Sequence, residues 1–362
     1  MSPLPKSVEM VGYQAVARKK MPYEIAVDDF FRPVAALKSL FAELVHVSNP
    51  ERIALIPSVS YGISSAVKNL KIHAGQNVVL VDEIFPSNYY PWKRLVDENK
   101  AKLNIVKRPE NLLNKGRDWN ENILEAIDNQ TVAVAVPHVH WTDGTKFDLV
   151  SIRHRATEVG AALIVDGTQS VGALPFDVGQ IQPDALVCAG YKWLLGPYSS
   201  GLAYFGDRFD GGVPLEESWM NRKNSEQFEN LTNYQDEYKP AANRYNMGEN
   251  SQFMAVPMLS KAIEMILEWG VEEIQNYCTN LAAPYLQSLS AYGFQMEAPE
   301  YRSGHLTGLR LPKGFDMNIV KKATIQSKIY VSFRAGAMRI SPHLYNDDGD
   351  FERLLGALKD VH

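Results

Sequence analysis

The stretch that decides the fold reads ALIVDGTQSVG over residues 162–172 and ALVCAGYKWLLGP over residues 185–197. Each half begins with an apolar run that lacks polar alternation, which is typical of a strand buried on both faces of a sheet. The first run ends at Asp166, and the second leads to Lys192. Ligands of parallel α/β sheets bind at the carboxyl ends of the strands. If these two strands are neighbours, a carboxylate and an amine meet in one crevice.

The same alternation of strand and helix continues on both sides of this stretch. Helical spacing predicts helices at residues 60–70, 86–99 and 149–160. Short apolar runs predict five further strands, at residues 52–57, 77–81, 103–106, 131–136 and 201–205. Strands that alternate with helices indicate an α/β fold, here with a mostly parallel seven-stranded sheet covered on both faces.

This alternation stops after the last predicted strand. Residues 206–251 are rich in Gly, Asn, Glu and aromatic residues, and a long irregular stretch inside a compact protein is usually functional. Beyond it, the pattern predicts a smaller α+β domain with helices at 254–270, 271–292, 318–327 and from Phe351, and strands near 305–311 and 329–333. We therefore expect a large domain over residues 21–245 and a small C-terminal domain that consists of residues 246–362 together with residues 1–20.

Composition argues against several classes of protein. The 362 residues carry a net charge of -5, which argues against nucleic acid as a partner, because phosphate binding needs a basic face. No apolar stretch approaches the roughly 18 residues that span a bilayer, so no membrane partner is expected. Cys188 and Cys278 give no disulfide framework, so we expect a reduced, cytoplasmic protein. His138 and His140 have no evident third ligand, and no metal site is predicted.

The blocks around Asp166 and Lys192 resemble the class V aminotransferase family, which includes cysteine desulfurases, kynureninases and isopenicillin N epimerases. That family has an Asp-Gly-x-Gln block followed, after a spacer of about twenty residues, by a lysine in a short turn that contains glycine. The resemblance covers the chain from about residue 25 to its C-terminus. It implies the fold type I architecture of enzymes that depend on pyridoxal phosphate, with pyridoxal phosphate as the cofactor.

The resemblance also implies roles for three residues of these blocks. Lys192 would hold the cofactor aldehyde as a Schiff base and, once freed, serve as the base that transfers protons. Asp166 would pair with the pyridine nitrogen and keep it protonated, because a nearby opposite charge favours the charged form. Gln169 would donate a hydrogen bond to the phenolic oxygen of the cofactor.

The cofactor phosphate needs its own binding groups. Ser58, Val59 and Ser60 lie between a predicted strand and a predicted helix, where backbone N–H groups can bind an anion. The alternative is that one of the serines only caps the helix. By resemblance, Tyr191 contacts the same phosphate. Asn250, or alternatively Ser251, would reach the phosphate of a partner subunit. The family resemblance implies a homodimer with the active site at the subunit interface.

Four further residues are candidates for the ring and substrate contacts. Phe85 corresponds to the position that stacks on the cofactor ring in relatives, although a lone Phe is by default a core residue. Trp141 would line the substrate pocket. Arg339 would bind the α-carboxylate of an amino acid substrate, since Arg recognises carboxylates in a bidentate manner. Arg334 is the second candidate, and a surface salt bridge is the alternative for both.

The reaction is less determined than the cofactor. Desulfurases place a nucleophilic Cys on a loop before the carboxylate-binding Arg, and here only Gly336, Ala337 and Met338 stand between residue 335 and Arg339. We expect an aminotransferase that acts on an amino acid through its α-carbanion. An epimerase, a C–S or C–C lyase, a kynureninase-like hydrolase and a homologue without turnover remain alternatives, whereas a desulfurase that depends on Cys is not expected.

Overall fold

The computed structural model describes residues 1–110, 114–312 and 314–359, and a seven-stranded sheet lies at its centre. Its strands are β1 (Ile53–Ile56), β2 (Asn77–Val81), β3 (Lys102–Val106), β4 (Thr131–Pro137), β5 (Ala162–Asp166), β6 (Ala185–Ala189) and β7 (Gly201–Phe205). They are ordered β1-β7-β6-β5-β4-β2-β3. Strand β7 runs antiparallel to both of its neighbours, and the other adjacent pairs are parallel. The predicted mostly parallel sheet is confirmed.

Helices pack around this sheet and also occur in the C-terminal part of the chain. Those in the described residues are α1 (Lys6–Arg18), α2 (Asp28–Leu44), α3 (Val59–Lys68), α4 (Tyr90–Glu98), α5 (Lys115–Ala126), α6 (Leu149–Val159), α7 (Val178–Ile181), α8 (Ala255–Trp269), α9 (Val271–Ala291), α10 (Met317–Gln326) and α11 (Asp348–Lys359). Every residue of β2, β5 and β6 is buried. Successive side chains of a strand point to opposite faces, so both faces of the sheet are covered at these strands. Within the described residues, every helix is too short or too polar to cross a bilayer.

Strands β5 and β6 are direct neighbours, which is the condition for Asp166 and Lys192 to meet in one crevice. They pair in parallel with Asp166 opposite Val187, so both chains leave the sheet at the same edge. Asp166 closes β5, and Lys192 follows β6 by three residues. Helix α3 also begins at this edge, directly after β1, with Ser58 as its N-cap. The topology therefore brings these three segments to one side of the sheet.

The C-terminal part has its own antiparallel sheet, made of β8 (Thr307–Arg310), β9 (Ser332–Arg334) and β10 (Ala337–Ile340) in the order β8-β10-β9. The strand predicted at 329–333 is wrong at its start. The Ile329 N–H donates to the carbonyl oxygen of Thr324 at 2.8 Å, so this part of the chain still closes helix α10. An apolar sequence pattern alone does not reveal that the backbone N–H of Ile329 already donates to the preceding helix and is not available to a strand.

The buried apolar residues form two hydrophobic clusters of different size. The larger one surrounds the seven-stranded sheet and continues through α8 as far as Cys278 in α9, and the smaller one begins at Leu281. Helices α1 and α2 pack against α8, so they belong to the larger cluster. The expected division at residue 246 stays a prediction.

Candidate active site

A cavity of about 270 Å³ opens at the edge of the sheet where β1, β5 and β6 end. The structure brings most of the predicted site residues to its walls. These residues are Ser58, Val59, Ser60, Phe85, Trp141, Asp166, Gln169, Tyr191 and Lys192. Thr168, Tyr198 and Ser200 also line this cavity, although the sequence did not single them out.

Two glycines shape the turn that carries Lys192. The Gly190 N–H donates to the Ser200 carbonyl oxygen at 2.8 Å, and the Gly196 N–H donates back to the Gly190 carbonyl oxygen at 2.8 Å. A Cβ on Gly190 would lie 2.7 Å from that Ser200 oxygen, and one on Gly196 would lie 2.5 Å from the Leu259 side chain. Only glycine allows this close packing. The lysine is therefore held on a compact turn.

The Lys192 amine lies in surroundings that favour its neutral form. Its Nζ atom is 5.5 Å from the centre of the Phe85 ring. Burial lowers the pKa of Lys192 to about 8, the negative charge of Asp166 opposes this shift, and the positive charge of Arg339 adds to it. About a tenth of the amine is thus neutral at pH 7, against less than about a thousandth at the usual pKa of 10.5, and this fraction can act as a nucleophile or base.

Asp166 is a buried carboxylate whose charge depends on its neighbours. Burial raises the pKa of Asp166, while hydrogen bonds from Thr168 and the positive charge of Lys192 oppose that rise. The Thr168 N–H donates to Asp166 Oδ1 at 3.0 Å. Thr168 Oγ1 in turn accepts from the Ala189 N–H at 3.2 Å, which ties it to strand β6. A cation beside Asp166 would offset the burial of its charge.

Gln169 is oriented by two residues that sequence reasoning missed. The indole N–H of Trp193 donates to Gln169 Oε1 at 3.2 Å, so the amide oxygen faces Trp193 and the NH₂ group remains available. His305 Nε2 lies 2.7 Å from the Gln169 carbonyl oxygen, an acceptor that requires the proton on Nε2. Burial lowers the pKa of His305 to about 4, so the ring is neutral. The only signal in the sequence was that Trp193 follows the lysine.

The start of helix α3 lies at one end of the cavity. Ser58 Oγ accepts from the Tyr61 N–H at 3.2 Å, and it lies 2.9 Å from Ser60 Oγ. Ser58 therefore does cap the helix, as the alternative interpretation holds. Since both serines also line the cavity, capping does not compete with anion binding at the positive end of the helix.

An aromatic pair lines the cavity, and an arginine contacts one of its two members. The rings of Phe85 and Trp141 are nearly perpendicular, with centres 5.3 Å apart. Arg339 donates from Nη1 to the Trp141 carbonyl oxygen. Burial lowers the pKa of Arg339 to about 10, and the charge of Arg334 adds to this effect. Its buried Nε has no hydrogen-bond partner among the described residues, so the guanidinium can accept an anionic ligand.

The loop that carries Trp141 is anchored by buried charges. Lys115 Nζ lies 2.6 Å from Asp143 Oδ2 and 3.3 Å from Glu297 Oε2. Despite its burial, His140 and Lys115 hold the pKa of Asp143 well below its usual range. Glu297 follows α9, so this cluster links the Trp141 loop to the C-terminal part of the chain.

Three predicted residues, Arg339, Arg334 and Asn250, are not among those that line the cavity, although Arg339 contacts the lining residue Trp141. Arg334 is exposed and donates from Nη1 to the Phe333 carbonyl oxygen at 2.8 Å. Asn250 is buried elsewhere, with its Nδ2 group 3.2 Å from Asn221 Oδ1. Its suggested contact with the phosphate of a partner subunit stays a prediction.

Neither cysteine of the chain can supply a nucleophile to this cavity. Cys188 and Cys278 are both buried. Burial raises the pKa of Cys188, and it raises the pKa of Cys278 to about 12. The thiolate is the reactive form of cysteine, so both side chains are inert as they stand.

Comparison with known proteins agrees with this geometry. The model of the family Aminotransferase class-V matches residues 24–354. The chain belongs to this family. Membership confirms that the chain is an enzyme, and it supports the predicted cofactor, pyridoxal phosphate.

Individual members of the class V family differ in their described activities. The chain is 25% identical to the uncharacterized aminotransferase YcbU of Bacillus subtilis, covering 89% of this chain and 82% of that protein. It is also 25% identical to isopenicillin N epimerase of Amycolatopsis lactamdurans, covering 87% of this chain and 81% of the epimerase. Among solved structures, the cystine C–S lyase C-DES in complex with cysteine persulfide matches with a TM-score of 0.86 at 18% identity, covering 99% of this chain and 95% of that one. This last likeness shows the fold alone.

Proposed function

We propose that this protein uses pyridoxal phosphate to transfer the amino group of an α-amino acid, as an aminotransferase. The observation that carries the proposal is the single cavity in which Lys192, Asp166 and Phe85 meet. An amine with a lowered pKa, a buried carboxylate and an aromatic ring are the groups that a cofactor with an aldehyde, a basic ring nitrogen and a flat face requires.

The residues of the cavity fit this cofactor on their own chemistry. Asp166 is a buried carboxylate in need of a cation, and the protonated ring nitrogen is one. Gln169 has its NH₂ group available because Trp193 occupies its oxygen. The start of helix α3, with Ser58 and Ser60, suits the phosphate.

When bound, pyridoxal phosphate supplies the electron sink that lets a proton leave the α-carbon of the substrate. Lys192 is the residue that moves this proton, because it is the amine in the cavity and its pKa of about 8 leaves about a tenth of it unprotonated at pH 7. Its compact turn restricts where Nζ can reach. Phe85 and Trp141 form an apolar wall that limits access of water to the amine.

Arg339 is the proposed anchor for the substrate carboxylate. It is largely buried, its Nε has no partner among the described residues, and it contacts Trp141, which lines the cavity. A bound carboxylate would provide the opposite charge that this buried cation lacks. Arg334 is exposed and is therefore proposed only as a long-range contributor of positive charge.

Epimerisation is the second candidate, because isopenicillin N epimerase is as similar to this chain as YcbU is. A lyase or hydrolase reaction would use the same first proton transfer. The burial of Cys188 and Cys278 argues against a mechanism with a cysteine nucleophile.

We also propose that the enzyme is a cytoplasmic homodimer. Tyr90 and Tyr198 are 67% and 66% exposed. Because aromatic side chains are enriched at protein interfaces, we expect a partner subunit to cover these two rings. Tyr198 lines the active-site cavity, so a partner that covers it would complete the site. Analytical ultracentrifugation of the loaded enzyme is expected to show a dimer.

The test of the reaction is product analysis after incubation of the loaded enzyme with single L-amino acids. Transamination predicts a keto acid and pyridoxamine phosphate in equal amounts. An inverted amino acid without a keto acid would establish epimerisation instead. Visible absorbance that no amino acid of the panel changes would contradict an amino acid substrate.

A further inference from the structure

A second cavity, of about 620 Å³, lies between helix α2 and the irregular segment 206–251. Among the residues that the structure describes, its lining shares none with the cavity around Lys192. The segment attracted notice in the sequence because a long irregular stretch tends to be functional. Within one chain, none of the described residues that line the cavity around Lys192 belongs to this segment, whereas the second cavity takes much of its lining from it.

Lys38 is the unusual residue of the second cavity. It lies on the buried face of α2 and is only 5% exposed, so its ammonium group does not extend into bulk water. Nζ donates to Asn243 Oδ1 at 2.7 Å. An ammonium group has three donors, and a buried charge is costly unless it is paired. Burial lowers the pKa of Lys38 to about 7, Lys239 lowers it further, and Glu51 opposes the shift.

The other charges that line the cavity have partners of their own. Lys239 pairs with Glu226, and Lys223 pairs with Glu237 at 2.7 Å. Glu51 is exposed at the rim. Among the described residues, no carboxylate lies within ion-pair distance of Lys38.

Two other titratable groups face the same space. The Arg244 guanidinium donates to the Gly212 carbonyl oxygen at 3.2 Å and lies 5.1 Å from the Tyr238 ring centre. The Tyr238 hydroxyl donates to Glu217 at 2.8 Å. Neither group neutralises Lys38.

The walls of the cavity are of two kinds. One part is apolar, and another consists of side-chain amides that can donate or accept hydrogen bonds. The apolar residues are Phe31, Val34, Ala35, Pro50, Met220 and Pro240, and the amides are Asn224, Asn243, Asn246 and Asn250. Cavities that combine an apolar lining with a few convergent polar groups are typical of small-molecule sites.

We propose that this second cavity is a binding site for a small organic carboxylate, whose charged group meets Lys38 and whose apolar body packs against Phe31 and Val34. The ligand would supply the negative charge that Lys38 lacks. Asn243 and Asn246 each give one Nδ2 hydrogen to a backbone carbonyl oxygen, and the second hydrogen of each would be available to the carboxylate. The site does not depend on the chemistry at Lys192, so it stands or fails separately from the proposed function.

Isothermal titration calorimetry of the loaded enzyme with benzoate tests the proposal. At pH 7 about half of the Lys38 amines are neutral, so binding of an anion should take up about half a proton. This uptake appears as a dependence of the measured heat on the ionisation enthalpy of the buffer. Benzamide, which has a similar size and no charge, is expected to bind at least about ten-fold more weakly.

Variants separate this site from others. Lys38→Met should weaken benzoate binding about ten-fold or more and abolish the proton uptake. Lys261→Met, at a half-exposed lysine paired with Glu264 on α8, is the matched control and should change neither. Arg339→Gln should also leave this binding intact, which excludes benzoate held in the active site.

A second variant covers the case in which Lys38→Met does not fold. Ala35→Phe, on the same helix and in the cavity lining, leaves Lys38 in place and fills the space, so it should abolish binding. The proposal is overturned if benzoate does not bind saturably at millimolar concentration. It is equally overturned if binding survives both Lys38→Met and Ala35→Phe, or if no protons are taken up.

Discussion

Two lysines, the half-buried Lys192 and the buried Lys38, differ in what surrounds them. Both lie in cavities, and burial lowers the pKa of each, to about 8 for Lys192 and to about 7 for Lys38. Lys192 follows a strand at the ligand-binding edge of the sheet, with Asp166 near it. Lys38 lies in the middle of a helix and hydrogen-bonds to an amide. A lowered pKa therefore identifies a candidate, and the neighbouring groups decide which chemistry it serves.

The largest expected effect concerns the removal of the Lys192 amine. Lys192→Ala should lower the rate of amino acid turnover by about 10⁴-fold, because both the attachment of the cofactor and the proton transfer depend on this group. Single-turnover kinetics with added pyridoxal phosphate measures the loss. Lys38→Ala is the matched control and should retain turnover. Comparable losses in both variants would remove the distinction between the two lysines.

Replacement of Asp166 by Asn should lower turnover by about 10²- to 10³-fold, since it removes a preorganised charge at the reacting centre. It should also change Lys192 itself. The charge of Asp166 raises the pKa of Lys192, so the variant should have a lower pKa at this lysine. In the cofactor-free protein, the rate of attachment of pyridoxal phosphate rises as the amine deprotonates, and this rise should move to lower pH. An unchanged profile would show that Asp166 does not act on Lys192.

The two arginines offer a comparison within the active site. Arg339→Lys should raise KM for the amino acid by about 10- to 100-fold with a smaller effect on kcat, because it removes a buried, charge-assisted contact. Arg334→Lys, at the exposed position, should change KM by less than about two-fold. Steady-state kinetics on both variants provides the measurement. The reverse order would make Arg334 the carboxylate anchor.

A smaller effect is expected from the residue that orients Gln169. Trp193→Phe keeps the ring and removes the indole N–H, which frees the Gln169 amide to rotate. Turnover should fall by about three- to ten-fold. The visible absorbance maximum of the loaded enzyme should also shift, and a merely structural role would not produce this shift. Trp92→Phe, whose indole N–H bonds Asn88 away from the cavity, should leave the spectrum unchanged.

The smallest effect on activity is expected at Lys38, where the consequence is stability. The folded pKa of about 7 lies below the unfolded value of 10.5, so the unfolded state binds the proton more tightly. The destabilisation is complete below pH 7 and disappears as the pH rises toward 10.5. Lys38→Met should therefore raise the free energy of unfolding by about 2 kcal/mol at pH 6, and this gain should shrink above pH 7. Urea unfolding at both pH values checks the sign.

The Lys192 region could be predicted from the sequence because its signals lie in short stretches of neighbouring residues. Apolar runs mark β5 and β6, and residues at their carboxyl ends meet when such strands are parallel neighbours. The Lys38 region carries no such signal in the sequence, because the two residues that meet there, Lys38 and Asn243, are 205 positions apart in the chain. Helix α2 also escaped the sequence pattern, because Pro33 lies inside it and Lys38 lies on its buried face. Contacts such as Trp193 with Gln169 depend on side-chain packing, which periodicity does not encode.

The most direct test uses borohydride, which fixes the cofactor to the lysine that holds it. The protein is loaded with pyridoxal phosphate, reduced, digested and mapped by mass spectrometry, so that every lysine competes for the label. We predict a phosphopyridoxyl group on Lys192 and none on Lys38, even though both amines have a lowered pKa. Labelling of Lys38 in place of Lys192, or no labelled lysine at all, would contradict the assignment of Lys192 as the cofactor-binding residue.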